Sequence, residues 1–120
     1  MKKLFSLILA IALTEGLIAK EVNIYTSRHY DSDDALYQEF TNETGIKVNI
    51  ISGKGGALLE RLKFEGTNSP ADIFFTVDAG NLWKVQKEGL FQPITSTKVL
   101  SKVPNSLRGP NNEWTAVAKR

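Results

Sequence analysis

Short apolar runs and longer amphipathic segments follow one another along most of this chain. Three runs rich in β-branched and aromatic residues predict strands, at residues 22–25, 47–51 and 72–77. Each is followed by apolar residues at helical spacing. The order strand–helix–strand–helix–strand–helix predicts a parallel sheet with right-handed crossovers, and therefore an α/β fold.

The first predicted helix has clear signals at both ends. Three acidic residues at its start suit capping of the backbone and the positive end of the helix dipole: Asp31, Asp33 and Asp34. Leu36 and Phe40, with Tyr37 beside them, predict the face that packs on the sheet, and Gly45 ends the helix. A catalytic carboxylate pair is the alternative for the aspartates, but their position favours capping.

The later elements are predicted by the same signals. The second helix has an apolar face of Leu58, Leu59 and Leu62 and ends at Gly66. The third helix begins at Asp78 or Gly80 and ends at Gly89, and its apolar face is Leu82, Trp83 and Val85. The nearly continuous apolar run at 72–77 predicts a strand buried on both faces. A short helix is predicted near 98–103, and residues 114–120 alternate like the start of a strand.

Residues 1–19 have the parts of a secretory signal peptide. Lys2 and Lys3 precede an apolar stretch at 4–13, and Ala19 lies where signal peptidase would cut. The stretch is too short to span a bilayer. Leu17 stands where a small residue is preferred, so an uncleaved membrane anchor is the alternative. We therefore expect an exported domain at residues 20–120.

Charge and cysteine content narrow the function classes. The formal net charge of +2 falls to +1 when Lys2, Lys3 and Glu15 are removed with the signal peptide. Without a basic run, nucleic acid is not the expected partner. The chain has no cysteine, which excludes disulfides and thiolate metal sites. The remaining length suits one small domain with a modest core.

The dipeptide His29–Tyr30 places an imidazole and a phenol side by side after the first predicted strand. Open α/β sheets bind ligands at that edge. Ferric iron is hard enough to displace the phenol proton, and imidazole is a common partner for iron. Neighbours on an extended strand point to opposite faces, so both reach one ion only if the backbone turns there. The alternative is a Tyr30 ring packed on the next helix and a surface His29.

Three other features have structural and functional interpretations. Arg28 is either a solvated side chain or a contact for an anion that completes a metal's coordination. The glycines of residues 53–56 either make a tight turn or offer backbone amides to an anion, and they lack the spacing of a phosphate loop. Trp83 and Trp114 are expected to pack rather than stack on a ligand. With one histidine and no triad spacing, nothing supports an enzyme.

Five segments taken together resemble one protein family: IYTSRHY at 24–30, FTNETGIKV at 40–48, LLERL at 58–62, NSPAD at 68–72 and TVD at 76–78. This is the periplasmic ferric-iron-binding protein of bacterial ABC importers, a class II solute-binding protein. The resemblance implies two α/β lobes that close on one ferric ion in the periplasm and deliver it to an inner-membrane permease. It implies that His29 and Tyr30 are first-lobe ligands and that Arg28 contacts an anion such as carbonate.

Members of that family are much longer and carry a second lobe with further ligands. The resemblance therefore implies an N-terminal lobe, residues 20–120, truncated before a second lobe that is missing or separately encoded. Two protein ligands leave most of the coordination shell of ferric iron to water, an anion or a partner. Two alternatives stay open, namely the same fold binding another small solute (an anion, a polyamine or a thiamine-like cation) and a remnant that binds nothing.

Overall fold

The computed structural model of the protein describes residues 20–118. The predicted signal peptide at residues 1–19 lies outside the described residues, as do residues 119–120. In the described part of the chain, no helix has both the length and the apolar character needed to cross a lipid bilayer.

Strands and helices alternate in the predicted order. They are β1 (Glu21–Thr26), α1 (Asp31–Thr44), β2 (Lys47–Ser52), α2 (Gly55–Glu65), β3 (Ile73–Phe75), α3 (Ala79–Lys87) and α4 (Thr97–Lys102). Short 3-10 helices lie at Gly66–Asn68 and Asn105–Leu107. Asp78 is the N-cap of α3, as predicted, and its carboxylate accepts a hydrogen bond from the Asn81 amide. The short helix expected near 98–103 is α4.

The three strands form one parallel sheet in the order β2–β1–β3. β1 pairs with β2 along its whole length, and with β3 through its last three residues. The chain passes from β1 to its neighbour β2 and then back across β1 to β3. Right-handed crossovers in these opposite directions place α1 and α2 on opposite faces of the sheet. The predicted α/β fold with a parallel sheet is confirmed.

The core lies around β1, the central strand. Ile24, Tyr25 and Thr26 are all buried, as expected for a strand covered on both faces. Tyr25 packs with Leu58 and Leu62 of α2. Because side chains alternate along a strand, Ile24 and Thr26 face the opposite side of the sheet, where α1 lies.

The burial predicted for the third strand is wrong. β3 has three residues instead of the predicted run at 72–77, and Ile73 is 47% exposed. The apolar run correctly marks a strand, but the strand order decides how deeply it is buried. In the described sheet, β3 pairs with β1 on one side only and forms an edge.

The predicted packing face of α1 is wrong for Leu36 and Phe40, although Tyr37, predicted beside them, does pack inward. Leu36 and Phe40 are exposed, whereas Asp33 is buried and the hydroxyl oxygen of Tyr37 is inaccessible to solvent. Asp33 and Tyr37 are one helical turn apart and share a face. Asp33 is held by Arg28 in the corner after β1, and the face of α1 that carries Asp33 and Tyr37 lies inward.

Trp83 and the last described residues also depart from expectation, whereas Trp114 packs as predicted. Trp83 is 53% exposed, and the Lys87 ammonium lies 4.4 Å from its ring centroid. Trp114 is partly buried and donates from Nε1 to Gln86 Oε1 at 2.7 Å. Residues 114–118 form no strand, and Thr115 makes a single antiparallel bridge to Arg108 instead.

Candidate functional site

The chain leaves the sheet at two adjacent corners, residues 27–30 after β1 and residues 76–78 after β3. A β2–β1–β3 order places the topological switch point, and with it the ligand crevice of such folds, between these two strands. The Ser27 amide donates to the Phe75 carbonyl at 3.1 Å, and the hydroxyls of Ser27 and Thr76 are 2.9 Å apart. The two corners are therefore hydrogen-bonded to each other.

His29 and Tyr30 are both exposed at the first corner, Tyr30 by 40%. Their rings stack, with centroids 5.1 Å apart and planes inclined by 25°. Tyr30 is the N-cap of α1, with φ −96° and ψ 129°, so the helix begins immediately after it. The turn brings the imidazole and the phenol together, whereas a continuing strand would send them to opposite faces.

Arg28 forms a bidentate ion pair with Asp33 of α1. Its Nε donates to Asp33 Oδ2 at 2.7 Å and its Nη2 to Oδ1 at 2.9 Å, a strong geometry for a guanidinium and a carboxylate. The hydrogen bond from Arg28 lowers the pKa of Asp33, and the same bond raises the pKa of Arg28. The interpretation of Arg28 as a solvated side chain is wrong. An anion contact would use Nη1 or the second hydrogen of Nη2 and stays a prediction.

The same guanidinium also lies against two aromatic rings. Its carbon Cζ is 4.8 Å from the centroid of the Tyr30 ring and 4.4 Å from that of Phe75. These are cation–π distances. Since Asp33 belongs to α1 and Phe75 to β3, Arg28 connects the first corner to both neighbouring elements.

The acidic start of α1 does not cap the helix through a side chain. The N-cap residue is Tyr30, and it makes no side-chain capping bond. Asp31, Asp33 and Asp34 do lie in the first turn, where negative charge suits the helix dipole. Asp33, however, accepts its hydrogen bonds from Arg28. The prediction that these aspartates cap the helix is therefore wrong, whereas their place in its first turn is as predicted.

Among the glycines of residues 53–56, Gly55 serves close packing against the start of α3. Gly55 and Gly56 begin α2, and a Cβ on Gly55 would lie 2.8 Å from Nδ2 of Asn81. The same Asn81 amide donates to Thr76 Oγ1 at 3.2 Å. This contact between α2 and the start of α3 favours the structural interpretation for Gly55.

Sequence reasoning named Asp33 and Tyr37 as helix residues but missed the part that they and Phe75 play around Arg28. Asp33 and Phe75 hold the guanidinium, and Tyr37 lies one turn beyond Asp33. Burial raises the pKa of Tyr37, and the nearby Asp33 carboxylate raises it further. The spacing of Asp33 and Tyr37 on one helix face was the available signal, but the stronger apolar residues of α1 pointed to another face.

Few side chains at the first corner could serve as metal ligands. Within residues 20–118, no three His, Asp or Glu side chains come together as a potential metal site. A metal ion here would depend on Tyr30 and His29 and on ligands from outside this set. Beside Arg28 and Tyr30 lies a cavity of about 580 Å³, which Leu82 and Trp114 also line.

Comparison with known proteins gives a consistent family match. The family described as "Bacterial extracellular solute-binding protein" matches residues 26–120. "Iron uptake protein A1" of Synechocystis sp. (strain ATCC 27184 / PCC 6803 / Kazusa) is 52% identical over 101 residues, which are 84% of this chain and 28% of that protein. Trichodesmium FutA, solved in complex with iron and citrate ligands, is 56% identical with a TM-score of 0.75, over 79% of this chain and 30% of that one.

A relative with a different solute is also similar. The "Thiamine-binding periplasmic protein" of Brucella abortus biovar 1 (strain 9-941) is 32% identical over 110 residues, covering 87% of this chain and 33% of that protein. The chain thus spans a third or less of the length of each of these three proteins.

Proposed function

The chain belongs to the family of bacterial extracellular solute-binding proteins, and we propose that it takes part in capturing ferric iron in the periplasm for an ABC importer. Residues 20–120 correspond in this proposal to the first lobe of a two-lobe binding protein. A second lobe closes over the ion, and the loaded protein delivers it to an inner-membrane permease. The role is binding rather than catalysis.

One observation carries the proposal, namely the stacked and exposed pair of His29 and Tyr30 at the switch-point corner. A tyrosinate is a hard anionic oxygen ligand that suits a trivalent cation, and a neutral imidazole adds a nitrogen donor. We propose these two side chains as the metal ligands of this lobe. The iron-related names of similar proteins support ferric iron as the solute.

The remaining coordination positions belong, in this proposal, to groups outside the pair. Water, a small anion such as carbonate and a second lobe are the candidates. Arg28 can offer such an anion both hydrogens of Nη1 and the second hydrogen of Nη2, because Nε and one hydrogen of Nη2 already donate to Asp33. We expect the anion to be a weaker determinant of binding than Tyr30, because the ion pair with Asp33 already offsets the charge of Arg28 that would attract the anion.

A ferric citrate titration of the chain, followed by visible absorption, tests the proposal. Tyrosinate bound to ferric iron gives a visible charge-transfer band, and we expect a band that saturates at one ion per chain. Tyr30→Phe should remove it, and His29→Ala should weaken binding while the band remains. Tyr37→Phe is the matched control, because it also removes a phenol from this side of the fold and should leave the band unchanged.

Two outcomes would contradict the proposal. A band that survives Tyr30→Phe would mean that this side chain is not a ligand. A folded chain that shows no band at any ferric concentration would mean that residues 20–120 do not hold the ion by themselves.

A thiamine-like organic cation is the second candidate solute, supported by the similarity to a thiamine-binding protein. The cavity beside Tyr30 has room for a small organic molecule. A thermal-shift comparison of ferric citrate, thiamine and a polyamine separates the candidates. Stabilisation by the organic cation and not by ferric citrate would favour the second.

A further inference from the structure

We propose that Arg28 is a positioning residue that fixes the ring of Tyr30 at the corner, with Asp33 and Phe75 holding the guanidinium in place. The consequence for metal capture rests on the function proposed above. The positioning itself is a property of the metal-free chain and is testable without any ion.

The contacts of Arg28 define its position on three sides. The two hydrogen bonds to Asp33 fix the plane of the guanidinium, and the Phe75 ring lies 4.4 Å from its carbon Cζ. The Arg28 side chain is only 20% exposed and that of Asp33 only 11%. A guanidinium held in this way gives the Tyr30 ring, at 4.8 Å, a fixed surface to rest on.

Tyr30 needs such a surface because its own surroundings are open. It is 40% exposed and lies at an N-cap, where it makes no side-chain capping bond. An exposed tyrosine samples several side-chain rotamers, and a ligand that is held in one rotamer loses less entropy when it binds. Arg28 reduces that cost before the ion arrives, which is the general advantage of a preorganised site.

Charge gives Asp33 a second part in the arrangement. A lone guanidinium beside a ligand for a trivalent cation would repel the ion. The Asp33 carboxylate compensates that charge at hydrogen-bonding distance, so the face of the guanidinium can support the ring while the pair carries no net charge. The arrangement requires the planar fork of arginine, which lysine lacks.

The test compares Arg28→Lys and Phe75→Leu with the wild-type chain. Arg61→Lys is the matched control, since Arg61 also pairs with a carboxylate (Nε to Glu65 Oε1, 2.7 Å) and lies 5.0 Å from a tyrosine ring, that of Tyr25, on the other face of the sheet. The first readout is the set of aromatic proton chemical shifts of Tyr30 in the metal-free protein, assigned by their loss in Tyr30→Phe. The second is ferric affinity.

We expect Arg28→Lys to move the Tyr30 ring shifts toward the values of an unstructured peptide and to lower ferric affinity about tenfold. Arg61→Lys should change neither. Phe75→Leu keeps both hydrogen bonds between Arg28 and Asp33, and it should give a smaller change of the Tyr30 ring shifts in the same direction. If Arg28→Lys does not fold, Phe75→Leu decides whether the guanidinium positions the ring. Unchanged Tyr30 shifts in every folded variant would overturn the inference.

The two proposals fail separately. If the wild-type chain binds no ferric ion, the proposed function of this chain is contradicted, and the ring shifts alone decide the role of Arg28. If ferric iron binds but Arg28→Lys leaves the ring shifts unchanged, the positioning role is wrong while the metal site stands.

Discussion

The hydroxyl of Tyr25 donates a hydrogen bond to the carboxylate of Glu65, with Oε1 at 2.9 Å and Oε2 at 2.8 Å. Tyr25 is completely buried in the central strand, and Glu65 is the last residue of α2. Arg61 and Ser69 donate to the same carboxylate, each at 2.7 Å. A polar network thus joins the strand to the end of the helix that covers it.

Tyr25→Phe should lower the free energy of unfolding by about 1.5–3 kcal/mol, because it removes a hydrogen bond to a charged group. Tyr37→Phe is the control, since the buried Tyr37 hydroxyl lies near Thr26 but makes no hydrogen bond of good geometry within the described residues. We expect Tyr37→Phe to change stability by less than about 0.5 kcal/mol. Urea unfolding followed by circular dichroism measures both, and equal losses would contradict the network.

Stability should fall in acid because of Glu65 and Asp33. Hydrogen bonds from Arg61 and Arg28, respectively, lower the pKa values of these carboxyls in the folded state. Their contribution is fully present above the unfolded pKa of about 4 and is lost as pH falls through the folded value. Glu65→Gln should reduce stability at neutral pH and make the fall of stability in acid less steep. Urea midpoints between pH 3 and pH 7 would show this, and an unaltered slope would count against it.

Two leucine substitutions test which helix faces are buried. Leu58 is 3% exposed and packs on Tyr25, whereas Leu36 is 54% exposed. Leu58→Ala should cost about 2–5 kcal/mol through lost burial and a cavity, and Leu36→Ala about 0.5 kcal/mol or less. Both are measured by denaturant unfolding of the same chain. Comparable costs would mean that α1 buries the face that carries Leu36.

Two glycine substitutions separate backbone conformation from packing. Gly66 ends α2 with φ +55° and ψ −131°, and a Cβ there would meet no atom within 4 Å. Gly66→Ala should therefore cost about 1–3 kcal/mol through backbone strain alone. Gly56, in the first turn of α2, also has open space. Gly56→Ala should stabilise the folded chain by about 0.4–1 kcal/mol. Thermal unfolding should therefore show a lower melting temperature for Gly66→Ala and a higher one for Gly56→Ala.

Periodicity predicted the elements of this protein because helices and strands leave local signals. Gly45 and Gly66 end helices as expected, and both have positive φ. Asp78 begins α3, and residues 27–30 form the corner between β1 and α1 that the proposed site requires. Each of these features depends on residues close together in the chain, so the amino-acid sequence contains the whole signal.

Contacts between distant elements were decided by the tertiary structure. The strand order makes β1 the buried centre and β3 an edge, although β3 has the more continuous apolar run. Arg28 pairs with Asp33 and lies against Phe75, and a polar face of α1 lies inward. The sequence by itself determined which elements form and which side chains stand at the corner. Only folding decided their neighbours, because burial and charge pairing depend on which elements become adjacent in space.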